Sequence, residues 1–247
     1  MDGGFFWSMA VLAAVLVGMS KGGLPVVGML GVPVLSLAIS PVTAAGLLLP
    51  VFVVSDMFGL YAYRRAFDAR VVGLVVVGAT VGVGLGWNTA RVVSEQAVTL
   101  LVGFIGLVFA GFLVVRPNAA AVRRRAGTLP GLFWSTVAGF TSFVSHAGAP
   151  PYQVFVRPLG LPKAVFAGTA TISFAYVNAI KLIPYYALGQ LSPDNLKVAA
   201  VLGPVAVVAV LAGVRVVRVL PERRFFQLVT ATLFAVSVKL IWDGLTR

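Results

Sequence analysis

A single histidine, His146, stands in the stretch SHAGAPPYQVF (145–155), between long runs of apolar residues. Around it are Gly148, the adjacent prolines Pro150 and Pro151, and the polar side chains of Tyr152 and Gln153. An imidazole has an unperturbed pKa of about 6.5, so this ring can donate to an anion or carry a proton. Asp56 interrupts another apolar run in SDMFGLYAY (55–63), and Asn178 and Lys181 interrupt a third in VNAIKLIPY (177–185). Asn178 and Lys181 are three residues apart, hence on one helix face. Lys181 could complement an anion's charge, pair with Asp56, or snorkel outward. Asp56 is a candidate carrier of a coupling proton, or else a hydrogen-bonded buried acid. Lys239 and Asp243, four apart near the end of a run, read as an ordinary helix-surface ion pair.

Enzymatic chemistry is poorly supplied. Hydrolysis would need a nucleophile with its base, or a metal site. With one histidine, no cysteine, and neither HExxH nor GxSxG, the chain offers little for either. Ser145 and His146 are adjacent, so on a helix they face different directions. We therefore expect no enzyme, no metal and no cofactor.

The elements that carry these residues follow from composition. The chain has 247 residues, 60% hydrophobic and only 11% charged, with a mean hydropathy of +1.01. Soluble domains carry roughly 25% charge, and about 20 helical residues cross a hydrocarbon core. The reading is an all-α polytopic membrane protein with the lipid bilayer as its solvent. The net charge of +12 lies in short loops such as RRAFDAR (64–70) and VRRR (122–125), which set orientation and do not imply nucleic acid. The start, MDGGFFWSMAVLAAVLVGMSKGG, lacks a basic n-region and a small-residue cleavage site and reads as the first span.

Ten segments are expected, at 4–20, 22–39, 41–63, 71–88, 94–115, 129–146, 148–160, 162–188, 195–214 and 223–245. The polar stretch 116–128 divides them into halves of five, 1–115 and 129–247. The halves are weakly alike. PVTAAGLLLP (41–50) falls on PKAVFAGTAT (162–171). SDMFGLYAY falls on VNAIKLIPY, setting Asp56 against Asn178 and Tyr63 against Tyr185. VVSEQAVTLLV (92–102) falls on VLPERRFFQLV (219–229). With ten crossings and the N-terminus outside, only Arg91, Lys197 and Arg247 of the 19 basic residues lie outside, with Lys181 and Lys239 inside spans. The rest, Lys21 among them, fall on the cytoplasmic side with the 116–128 linker, as the positive-inside rule requires. Making 22–39 and 148–160 re-entrant instead would put the arginine-rich RVVRVLPERR (215–224) outside. Five crossings per half make two inverted repeats, an architecture whose ligand sites lie near the midplane.

The second segment of each half is broken or short. Residues 24–39 contain Gly28, Gly31 and Pro33, and residues 150–160 make about 16 Å of helix. Each follows a small-residue break, at Ser20–Gly23 including Gly22 and Gly23, and at His146–Ala149 including Gly148. A helix starting inside a membrane presents unpaired N–H groups and partial positive charge, which an anion would satisfy. The same glycines and prolines would also serve close helix packing, and a lone histidine could simply bond a neighbouring helix. A passive anion channel would need the same donors without a proton carrier.

At these residues the chain resembles the sulfite exporter TauE/SafE family of prokaryotic membrane proteins. GMSKGGLPVVGMLGVPVLSL is similar to that family's glycine-rich first-half pattern ending in proline. SHAGAPPYQVFVRPLGLPKAVFAGTATISFAYVNAIKLIPYYALG is similar to the sulfite-exporting members themselves. Two departures are SKGG in place of a three-glycine run, and Ala149 in place of a second glycine. The resemblance implies transport of small sulfur-containing anions (sulfite, sulfoacetate or other organosulfonates) across the inner membrane. The substrate would bind near Gly22, Gly23, His146, Gly148, Pro150, Pro151, Tyr152, Gln153, Asn178 and Lys181.

Overall fold

The computed structural model describes residues 3–21, 27–90, 92–115, 126–219 and 222–246, and they are helical with no strand among them. In chain order they form α1 (Gly4–Lys21), a 3₁₀ turn at Val27–Leu30 leading into α2 (Gly31–Leu35), α3 (Pro41–Tyr63), α4 (Ala69–Ala90) and α5 (Glu95–Val115). There follow α6 (Thr128–Ser145), α7 (Ala149–Val156) with a 3₁₀ turn at Arg157–Leu159, α8 (Lys163–Ala187), α9 (Pro193–Val219) and α10 (Glu222–Thr246). Among the described residues, α1, α3, α4, α5, α8 and α9 are long and apolar enough to cross a membrane. Helix α6 has 18 residues, about 27 Å of rise, but is more polar. Its Ser135, Thr141, Ser142 and Ser145 are buried, so its polar side faces the protein. The outside of the bundle is apolar: Val77, Val81 and Leu85 of α4 are each more than half exposed, as lipid-facing positions are.

Local chemistry fixes the helix starts. Ser40 accepts the Thr43 N–H at 3.3 Å with Pro41 in the first turn of α3, the favoured N-cap and N1 combination. Asp68 accepts the Val71 N–H at 2.9 Å at the start of α4. Ser192 accepts the Asn195 N–H at 3.2 Å ahead of α9, which begins with Pro193. The broken segments are shorter than the sequence suggests. The first is helical only from Val27 to Leu35, and 22–26 lie outside the described residues. The second runs from Ala149 to Leu159. Neither alone is long enough, as helix, to cross about 30 Å.

Glycines set the closest approaches and reveal the helix directions. A Cβ on Gly78 would lie 2.6 Å from Ser135 Cβ, and one on Gly86 would lie 2.5 Å from the Phe143 ring. Gly82, between them, faces Thr136 and Phe140, so α4 and α6 run parallel. Gly59 faces Thr171 and Gly168 faces Tyr63 and Ala66, so α3 and α8 run antiparallel. Gly103 faces Ile241, Gly106 faces Ser237 and Gly244 faces Leu100, so α5 and α10 are antiparallel. Gly28 abuts Ser20, while Gly31 abuts Val17 and Leu48. With Lys21 beside Asp56, α1 and α3 are parallel, and the α2 segment returns between them. The most extensive contacts pair α4 with α6, α5 with α10, α1 with α9, and α3 with both α8 and α9.

Candidate functional site

The first, third, sixth and eighth helices enclose a cavity of about 110 Å³, several times the ~10–15 Å³ that one water needs on this measure. Ser20 and Lys21 line it from α1, Phe52 and Tyr63 from α3, Ser142 and His146 from the end of α6, and Thr171, Phe174 and Asn178 from α8. It runs from Phe52 and His146 to Tyr63 and Phe166, the end where the α3–α4 loop carries Arg64 and Arg65. Beyond His146 the space is filled. Tyr185, Leu47, Leu48 and Leu49 are fully buried there, and Tyr185 Oη donates to Phe143 O at 2.5 Å.

Two polar clusters face each other across Phe52. In the first, Lys21 Nζ lies 2.5 Å from Asp56 Oδ1, and Asn178 Nδ2 donates to Asp56 Oδ2 at 2.6 Å. Lys21 occupies the last turn of α1, where helix carbonyls favour a cation. It also stands over the Phe52 ring at 5.4 Å from the centroid. Asp56 lies seven residues before the end of α3, about 10 Å along the axis, so α1 ends well inside the bundle. In the second cluster, Lys181 donates to Ser142 O and Ser142 Oγ, both at 3.1 Å, and meets His146 Nδ1 at 2.6 Å. His146 Nε2 lies 3.0 Å from Ala45 O. A carbonyl only accepts, so Nε2 carries a proton, and Nδ1 of a neutral ring accepts from Lys181. All three N–H groups of the ammonium are then placed. The His146 ring packs on Phe52 at 4.6 Å between centroids.

His146 holds its ring there through a left-handed backbone, φ 55° and ψ 18°, as the C-cap of α6. It is the one non-glycine residue with positive φ among the described residues. Its N–H bonds Ser142 O at 3.0 Å, and Ala147 N–H bonds Thr141 O at 3.3 Å. The Thr141 hydroxyl donates back to Ala147 O at 3.0 Å, which pins the chain as it leaves the helix.

Of the residues proposed from sequence, His146 and Asn178 line the cavity, and Lys181 and Asp56 stand directly behind them. Lys181 pairs with His146, while Lys21 takes Asp56 as its partner. Pro150, Pro151 and Tyr152 are buried in the first turns of α7 and do not line the cavity, and Gln153 is half-buried on the same helix. The Tyr152 ring packs against Phe166 and Phe174. A Cβ on Gly148 would lie 2.7 Å from Ala138 O and 2.9 Å from Ser142 Cβ, so its missing side chain lets α7 start against α6. Gly22 and Gly23 lie outside the described residues. Sequence reasoning missed Lys21 and Phe52. A lysine in SKGG reads as a loop cation, and only its place opposite His146, each at the break before a short segment, hinted otherwise.

Ionisable side chains buried around a cavity, inside a bundle of membrane-crossing helices, mark solute pathways. The molecule is thus a multi-pass membrane transporter by class. The family model described as Sulfite exporter TauE/SafE matches residues 10–240, and the chain belongs to that family. No curated protein and no solved structure matches it.

Proposed function

We propose that the chain is a secondary transporter that exports small sulfur-containing anions, sulfite or organosulfonates such as sulfoacetate, across a prokaryotic inner membrane, with Asp56 as the carrier of a coupling proton. The observation that carries this reading is the Lys21–Asp56–Asn178 cluster on a small cavity. It offers an ammonium and an amide to a tetrahedral or pyramidal oxyanion, with a carboxylate beside them. Lys21 and Asn178 form the heart of this site, and His146 lines it with both ring nitrogens already bonded, to Ala45 and Lys181.

The repeat architecture proposed with it is two inverted sets of five segments, 1–115 and 129–247, joined by a cytoplasmic linker at 116–128. Exchange of the halves supports it: α1 with α9 becomes α6 with α4, and α3 with α8 and α5 with α10 map onto themselves. Asp56 and Asn178, set against each other by the sequence repeat, are bonded to each other, as equivalent residues at a pseudo-two-fold axis would be. With the N-terminus outside, the cavity extends toward the cytoplasmic, arginine-bearing loops.

The test is anion flux in proteoliposomes with sulfite, sulfate and simple sulfonates, with and without a proton gradient. The expected outcome is sulfite or sulfonate flux that a gradient accelerates, and that Asp56→Asn uncouples from the gradient while substrate exchange persists. Flux indifferent to the gradient in both proteins would make the molecule a passive anion channel.

A further inference from the structure

We infer that Lys21 is the cation that receives the transported anion and that Asp56 is its resident counter-ion. An incoming sulfonate or sulfite oxygen takes the place of Asp56 Oδ1 on Lys21 Nζ, and the displaced carboxylate takes up one proton. This rests on the anion-transport reading above and assigns the exchange at its centre.

The geometry singles out Lys21. Lys181 has every N–H placed, on Ser142 O, Ser142 Oγ and His146 Nδ1, and His146 Nε2 is held by Ala45 O. Neither can bind an anion without leaving a buried acceptor unmet, which costs more than a hydrogen bond returns. Lys21 lines the cavity and has one carboxylate oxygen at 2.5 Å, which leaves an ammonium with capacity for further acceptors. Asp56 is only 3% exposed and is absent from the cavity wall, behind Lys21 and Asn178. The anion therefore meets the cation first. A lysine suits the exchange because its point charge changes partners without the fixed fork that an arginine imposes.

Charge balance requires the proton. With an anion on Lys21, an ionised Asp56 would be a second negative charge beside one ammonium, and like charges at this range disfavour the ionised form. One O–H bond of a hydronium ion, supplied from bulk solvent through the cavity, breaks as the carboxyl O–H forms, and neutral water is left behind. Asn178 keeps its hold, because the carbonyl oxygen of a carboxyl group still accepts. The charged or titratable groups around Asp56 are Lys21 from α1 and Lys181 from α8, with His146 of the α6 end bonded to Lys181 and Tyr63 two turns along α3 on the cavity wall. The 27–35 segment carries none, α9 none between Lys197 and Arg215, and α5 none beyond Glu95, which reaches Ser40 at the far end of α3.

Binding of a simple sulfonate, a monoanion throughout the working range, is measured calorimetrically on the purified full chain at several pH values. The parent's affinity should fall as pH rises, by at most about tenfold per pH unit, because binding takes up one proton. Asp56→Asn should bind at least tenfold tighter at the alkaline end and lose the slope, whereas His146→Gln should keep the slope. Lys21→Gln should lose binding at least tenfold. The double variant Lys21→Gln/Asp56→Asn removes both charges and so protects the fold should a single variant fail to fold. It should bind no better than Lys21→Gln. Weaker binding in folded Asp56→Asn, parent-like binding in the double variant, or a slope that follows His146 instead of Asp56 overturns the inference while leaving sulfur-anion transport standing. The same series with chloride and acetate separates the two. A parent that binds one of these but no sulfur anion overturns the substrate reading, and the series then tests the exchange with that anion. A parent that binds none overturns both.

Discussion

His146 holds a backbone conformation that asparagine or glycine would adopt with less strain, about 1–2 kcal/mol for an ordinary side chain. It keeps this strain because its ring alone bridges Ala45 O of α3 and the Lys181 ammonium of α8. Two substitutions separate backbone from ring. His146→Gly should relieve the strain yet still lower the melting temperature in detergent, because Lys181 loses a charge-assisted bond worth roughly 1.5–3 kcal/mol. His146→Ala should melt lower still, keeping the strain and losing the ring. Adding Lys181→Met to His146→Gly should recover part of the loss, since the under-bonded ammonium goes with it. Strictly additive losses in that cycle would show that the two side chains are not coupled.

Two parallel helices, α4 and α6, are held together by absent side chains. Gly78, Gly82 and Gly86 on one and Gly139 on the other leave no room for a Cβ, which on Gly139 would lie 2.5 Å from Ala79 O. Gly82→Val should therefore cost upwards of about 1–3 kcal/mol and reduce the yield of folded protein in detergent. Gly84→Val is the control on the same helix, since nothing lies within 4 Å of its Cβ position. It should melt within a degree or two of the parent, apart from a small gain in helix propensity over glycine. This seam shows what the sequence made legible. The six long apolar helices were readable because hydrophobic length is a one-dimensional property. The buried acid, asparagine and lysine stood out because polar residues in apolar runs are costly. Partner choice was not readable. Whether Asp56 takes Lys21 or Lys181 depends on where α1 ends relative to α3, and that is decided by the return of the 27–35 segment between them. The short segments were visible through their glycines and prolines. That Gly148 serves helix packing, with Ala149 on the cavity wall, depends on α6 geometry that no spacing encodes.

Over the whole molecule, helix directions and basic loops make one joint prediction. If the N-terminus is outside, α1, α3 and α5 run inward, and α10, antiparallel to α5, ends outside. The chain has no cysteine, so single cysteines can be introduced without altering a background. Cysteine at Leu245, which is 69% exposed, should react with an impermeant reagent in intact cells, and cysteine at Asn118 in the linker should not. The reverse pattern would invert the molecule in the membrane. Labelling of both would put the two halves in the same orientation and remove the two-fold reading.

The way the buried charges are shared out also bears on how the protein is made. A lysine at the centre of a lone helix costs roughly 2.5–3.5 kcal/mol on insertion scales, and α8 carries Lys181 fully buried. Its partners, Ser142 and His146, come from α6 and its cap, which leave the ribosome earlier in the same half. Asp56 likewise finds Lys21 on the preceding α1. Each half can thus settle its own costly charges as it emerges, before the other half is needed. The chain should therefore tolerate being cut within 116–128. Two polypeptides, 1–118 and 119–247, co-expressed from separate messages, should insert independently, co-purify and restore transport, whereas either alone should be degraded.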